Sequence, residues 1–162
     1  NSNYNYIFHA TETSKDYLSQ IIKKNNLENV DLISNEKIKI AAIKKSSFAI
    51  VKSGTVSLEV CKYGVPSIII YKMNFLNFLI AKSVLKIKFA NMINIINNKE
   101  VIPELLQNEC NSDEIFKTVN YLLKKPELIN EQLKQVNKTI QELKSSTSSS
   151  IEVSNVLLSY LR

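Results

Sequence analysis

Short apolar runs alternating with amphipathic segments constrain this chain more than any other feature. The runs over 6–10, 30–33, 48–51 and 67–70 are each four or five residues long. Between them, 14–24 sets Tyr17, Leu18, Ile21 and Ile22 on one helical stripe, 35–45 does the same with Ile38, Ala41 and Ala42, and 56–63 follows a tight turn. Apolar runs of this length bounded by turn residues read as buried strands, whereas spacing near 3.6 reads as helix. Strand–helix alternation predicts an α/β fold with a parallel sheet flanked by helices. Gly64 is expected to stop the third helix, with Pro66 at the mouth of the strand over 67–70.

The pattern changes beyond residue 70. The stretch 74–85 reads as a very apolar helix, and 101–107 as another with Pro103 in its first turn. An amphipathic helix is expected over 112–123 with Ser112 as its cap, and a longer one from Pro126 to about residue 144. Residues 145–150 are serine-rich and read as a hinge. Ser149 and Glu152 have capping-box spacing, so a last helix is expected to run to Leu161. The expected division is therefore 1–144 as one domain and 145–162 as hinge plus terminal helix.

A chain of 162 residues with 44% hydrophobic residues can build one domain with a real core. Cys61 and Cys110 match no metal spacing and suit a reducing cytoplasm. With His9 as the one histidine, a histidine metal cluster or a Ser-His-Asp triad is not expected. The net charge of +6 comes from scattered lysines, Arg162 being the one arginine, and no nucleic-acid reader motif accompanies it. The chain is also crowded with asparagine and isoleucine, a combination that looks like AT-rich codon usage, so part of the charge reads as compositional drift, and nucleic acid is not expected as a partner. Residues 1–5 are polar and do not form a signal peptide, and the chain begins with Asn rather than Met, as a fragment would. The apolar stretch 65–85 is broken by Lys72 and Lys82, too soon for a membrane span.

The candidate chemistry starts at Ser53-Gly54-Thr55, between the strand over 48–51 and the helix over 56–63. N–H groups at a helix start lack internal partners, and the helix dipole favours an anion there. Gly54 would let a phosphate approach the backbone, and Glu59 would accept hydrogen bonds from ribose hydroxyls. The plain alternative is an ordinary capped turn, with Glu59 a solvated carboxylate near Lys62. Tyr71, Lys72 and Asn74 follow the next strand at the same carboxyl end, where open parallel sheets bind ligands. The segment 94–107 (Asn-Ile-Ile-Asn-Asn-Lys-Glu-Val-Ile-Pro-Glu-Leu-Leu-Gln) packs polar groups into a loop before a helix. Glu100 and Glu104, four apart, would share a helical face there, either as an acid/base pair or as an acidic first turn.

Three segments in order, Ser-Gly-Thr-x-x-Leu-Glu, Gly-Val-Pro before a strand ending in Tyr-Lys, and the run 94–107, resemble the C-terminal half of bacterial lipid-A-disaccharide synthase. The resemblance covers roughly residues 8–161 and is densest over 53–107. It implies a GT-B glycosyltransferase whose Rossmann-like, UDP-sugar-binding C-terminal domain is residues 1–144, followed by a crossover helix. It further implies transfer from UDP-2,3-diacylglucosamine to 2,3-diacylglucosamine 1-phosphate at the inner face of the cytoplasmic membrane. No metal or other cofactor is implied, since the UDP-sugar is a substrate. By position, Ser53, Gly54 and Thr55 would lie near the pyrophosphate, Glu59 near the ribose, and Tyr71 in the same crevice. Asn94 and Glu100 would face the donor sugar or diphosphate, while Pro103, Glu104 and Gln107 would shape that loop and helix. The resemblance assigns no catalytic residue to this chain.

The chain departs from the family pattern at Lys52, Ile93, Asn97, Asn98 and Lys99. Lys99 stands where the family has arginine, which loses a planar bidentate donor for phosphate. The N-terminal domain, with the acceptor contacts, is an implied partner, and the chain by itself is expected to be inactive. Other readings are a different UDP-sugar GT-B enzyme and a non-catalytic module that keeps the fold. Residues 73–87, with Phe75, Leu76, Phe78, Leu79 and Ile80 flanked by lysines, are read as a membrane-facing surface or a core helix. The terminal helix, through Val153, Val156, Leu157, Tyr160 and Leu161, is expected to self-associate or fray.

Overall fold

The computed structural model describes residues 4–74, 88–144 and 149–160. It is an α/β structure whose strands all pair in parallel. The strands fall in two ladders, in two compact units, Asn1–Ser47 and Phe48–Arg162.

In the first unit the order is β1 (Tyr6–His9), α1 (Glu12–Lys24), β2 (Val30–Ile33) and α2 (Glu36–Lys45). β1 pairs β2 with Tyr6 opposite Val30. The Ser14 hydroxyl accepts the Thr11 N–H at 3.0 Å and so tethers the start of α1. Asn35 caps α2 by accepting the N–H groups of Lys37 and Ile38. Asn26 and Asn29, between α1 and β2, have positive φ, a conformation asparagine tolerates better than most residues. His9 lies 3.6 Å from Glu36, which also holds the buried Lys39 ammonium at 2.6 Å. That lysine bond is the main cause holding the Glu36 carboxyl below its ordinary range.

The second unit contains β3 (Ala49–Lys52), α3 (Thr55–Lys62), β4 (Ser67–Tyr71), α4 (Met92–Asn97) and β5 (Glu104–Leu106). A 3₁₀ turn (Gln107–Glu109), α5 (Ser112–Leu123), α6 (Pro126–Glu142) and α7 (Ser149–Tyr160) follow. The sheet order is β3-β4-β5. Successive side chains of central β4 point to opposite faces, and each face has its own core. Ile69 packs with Cys61, Ile93, Ile102 and Val136, and Ile68 with Leu105 and Leu122. Pro126 starts α6 as expected, and α6 packs against α3, α4 and α5.

Two glutamine amides hold the ends of β4. Gln132, buried on α6, accepts the Ser67 N–H at 2.9 Å and donates to the Ser67 carbonyl at 3.0 Å. Gln107 accepts the Met73 N–H at 2.8 Å and donates to the Met73 carbonyl at 3.3 Å.

Two local expectations need correction. The stretch 101–107 is not a helix: Glu104–Leu106 forms β5 against β4. Pro103 disfavours helical backbone at Ile102, and the apolar Leu105 is consumed by the core instead. The helix of this region lies earlier, at α4, capped by Asn91 and closed by Asn98 in the left-handed conformation. The cap of α5 is Asn111, which accepts from Asp113 and Glu114, and Ser112 is the first helical residue. The helix expected over 74–85, the surface expected over 73–87 and the hinge over 145–150 fall largely outside the described residues. The division expected at 144/145 abuts that undescribed stretch.

Candidate functional site

β3 ends at Lys52, and Ser53-Gly54 turns the chain into α3. This places the turn at the carboxyl end of the β3-β4-β5 sheet, with Tyr71 and Lys72 at the end of the neighbouring strand. Gly54, the N-cap of α3, has φ 142° and ψ −160°. That backbone region is essentially closed to residues with a Cβ. A glycine cap supplies no side-chain acceptor, whereas α2, α4 and α5 are each capped by an asparagine oxygen. Gly54, Thr55 and Val56 are exposed, at the helix start where the first N–H groups have no partner one turn back.

Positive charge stands beside the turn. The Lys52 ammonium lies 5.2 Å from the centroid of the half-buried Tyr71 ring, within cation–π range. Lys52 pairs with no carboxylate among the described residues, and Lys72 is exposed. Glu59, one turn into α3, is half-buried, and one of its carboxylate oxygens is shielded from solvent. Ser53 is only partly available: its hydroxyl donates to the Ala90 carbonyl at 2.6 Å. The turn thus offers a phosphate mainly its backbone.

Asn94 and Glu104, expected to line the donor site or its loop, are interior residues. Asn94 is fully buried. Its amide donates to the Ile102 carbonyl and to Glu104 Oε1, both at 2.7 Å, and its oxygen accepts from Val101 N at 2.8 Å and Ile102 N at 2.9 Å. Two donors and two lone pairs are all an asparagine side chain has, so none is left for a sugar. Glu104, 8% exposed, accepts from Ala90 N at 2.7 Å and Asn91 N at 2.9 Å besides Asn94. Three N–H donors satisfy the buried oxygens of this side chain. Glu100 is exposed, and its Oε1 accepts the Glu104 N–H at 3.2 Å. The two carboxylates do not share a helical face, because Glu104 is on a strand. Gln107 grips the loop after β4, as already described.

Sequence reasoning passed over Asn91 and Ser57. Asn91 is fully buried and Ser57 is 1% exposed. The Asn91 amide donates to Ser57 Oγ at 3.0 Å, and Ser57 Oγ donates to the Gly54 carbonyl at 2.6 Å. The available signal was an asparagine ahead of an apolar helical run, a cap pattern, at Asn91.

No cluster of three or more His, Cys, Asp or Glu side chains among the described residues is arranged to hold a metal ion. Among the same residues no helix is long and apolar enough to cross a membrane. A groove of about 350 Å³ in the first unit, lined by Ile7, Asp31, Ile33, Ile38 and Lys45 among others, gathers no such chemistry.

Comparison with known proteins adds to this geometry. Residues 1–156 match the family described as lipid-A-disaccharide synthetase. The chain is similar to a lipid-A-disaccharide synthase of Rickettsia bellii (strain OSU 85-389), 38% identical over 112 residues, covering 69% of this chain and 29% of that protein. A synthase of the same name from Rickettsia canadensis is 38% identical over 129 residues, 78% of this chain and 33% of that protein. For that of Rickettsia prowazekii the identity is 33% over 148 residues, 82% of this chain and 38% of that protein. The matches thus span between 29% and 38% of these relatives' length.

Proposed function

This chain belongs to the lipid-A-disaccharide synthetase family, and on that premise we propose that it is the donor-nucleotide-binding part of a GT-B glycosyltransferase. The reaction is transfer of 2,3-diacylglucosamine from UDP to 2,3-diacylglucosamine 1-phosphate. The turn 53–55 supports this most directly: an exposed, glycine-capped helix start at the carboxyl end of a parallel sheet, with Lys52, which pairs with no carboxylate among the described residues, beside it. In this assignment the N–H groups of Gly54 and Thr55 hold the diphosphate, and Lys52 adds charge. Glu59 takes the ribose, and Tyr71 borders the crevice. Of the acidic pair over 94–107, Glu100 is the exposed member and stays a candidate for the donor. Catalysis would rest on orientation of the sugar and stabilisation of the departing UDP.

Since the chain matches about a third of its relatives' length, we place the acceptor site and the base on another part of the enzyme. The chain alone is then inactive, works at the inner face of the cytoplasmic membrane only with that part, and needs no cofactor. Self-association through α7 belongs to the same proposal: Val153, Val156, Leu157 and Tyr160 are all exposed.

The test is a titration with UDP followed by amide NMR. Shifts at Gly54 and Thr55 are expected, with binding of millimolar order, about 4 kcal/mol. Glu59→Gln should weaken UDP more than inorganic diphosphate. Shifts confined to amides remote from the turn would overturn the site.

A further inference from the structure

We propose that Asn91 and Ser57 are positioning residues for the diphosphate-binding turn, acting through the Gly54 carbonyl. The proposal rests on the nucleotide-binding assignment above and adds how the turn is kept ready.

The direction of each hydrogen bond is fixed by chemistry. The Asn91 side-chain oxygen is occupied by the Ile93 N–H at 2.9 Å, where it caps α4. Only its NH₂ remains to face Ser57, and an NH₂ can only donate. Ser57 Oγ therefore accepts from Asn91, and its single hydrogen points to Gly54 O, 2.6 Å away. The Gly54 carbonyl also accepts the Ser57 N–H at 3.1 Å. Two donors thus hold one carbonyl oxygen of a residue whose backbone, at φ 142°, is in a sparsely populated region. Fixing that carbonyl fixes the peptide plane it shares with Thr55, and with it the direction of the Thr55 N–H.

Asn91 can act because it is anchored itself. Its backbone N–H and that of Ala90 are both taken by Glu104, and the Ala90 carbonyl receives the Ser53 hydroxyl. The segment before α4 is therefore tied to the turn at Ser53 and, through Ser57, at Gly54. All of the side chains that make the Asn91–Ser57 link are buried, so water does not compete for it. A donor diphosphate would meet N–H groups already aimed, which saves the ordering cost that a loose turn would add.

The experiment compares Ser57→Ala and Asn91→Ala with Asn97→Ala, which breaks a bond to Thr139 at 2.7 Å away from the turn. In the ligand-free chain, ¹⁵N relaxation at Gly54 and Thr55 should give order parameters near 0.85 for wild type and Asn97→Ala. Both test variants should fall toward about 0.6 at these two amides while β4 stays rigid. Their affinity for UDP and for inorganic diphosphate should drop about tenfold, the weight of one ordinary hydrogen bond. Unchanged order parameters in both test variants, with each shown to be folded, would overturn the positioning role. A rigid wild-type turn that binds neither UDP nor diphosphate would instead overturn the nucleotide assignment and leave the ordering device standing.

Discussion

Replacing Asn94 by alanine separates a structural asparagine from a substrate-binding one. The substitution removes four hydrogen bonds of 2.7–2.9 Å and strands their partners: the N–H groups of Val101 and Ile102, the Ile102 carbonyl and one bond on Glu104 Oε1. Each orphaned buried group costs about 1–3 kcal/mol. Val101 is only partly buried, so its N–H regains water, and Glu104 Oε1 keeps the Asn91 N–H. The two Ile102 groups are fully enclosed and carry the full penalty. Allowing for a water molecule in the vacated space, the expected loss is about 3–4 kcal/mol. That is a large share of the roughly 5–15 kcal/mol that holds a domain folded. Urea unfolding followed by tyrosine fluorescence would measure it, and hydrogen exchange at Val101 and Ile102 would locate it. A loss under about 1 kcal/mol, with those amides still protected, would refute the account and return Asn94 to the ligand.

Gly54→Ala should cost about 1–3 kcal/mol from backbone strain alone, since nothing lies within 4 Å of the added Cβ; thermal melting checks it, and UDP shifts at the turn should vanish with it. Burial pushes the Cys61 thiol up to about 11 from its ordinary 9.0, so it should resist a thiol reagent at pH 8 in the folded chain and react on denaturation. Because the neutral thiol is the favoured folded form, its share of stability is complete below pH 9.0 and is lost as pH rises toward about 11, a trend that Cys61→Ala should remove. Deleting residues 149–162 should lower the mass seen by light scattering, because α7 exposes Ile151, Val153, Val156, Leu157, Leu158 and Tyr160; a monodisperse full-length monomer would refute this.

Strand–helix alternation was legible because each early run is both apolar and bounded by turn residues. β2 falls where its pattern put it, and α1, α2 and α3 begin within two residues of the expected starts. The turn at Ser53-Gly54-Thr55 was legible for the same reason: glycine after an apolar run marks backbone that other residues avoid. The segment 94–107 misled because its polar residues look solvent-directed in one dimension. Asn94 and Glu104 instead satisfy one another and the backbone around them, which only the folded juxtaposition of α4 with β5 reveals. Composition alone gave the asparagines no structural role, yet Asn35, Asn91 and Asn111 cap helices and Asn26, Asn29 and Asn98 take positive φ.

The two glutamine grips on β4 have a consequence for alignment. A strand that slips by one residue presents its opposite face, so Ile68 and Ile69 would exchange cores. Slippage would also pull Ser67 out of the Gln132 amide and Met73 out of the Gln107 amide, breaking a paired donor and acceptor at each end. The grips act as end-stops on a ruler. They set the level at which Tyr71 leaves the sheet, one residue beyond the Ile70 that pairs with Lys52, and so hold its ring within 5.2 Å of the Lys52 ammonium.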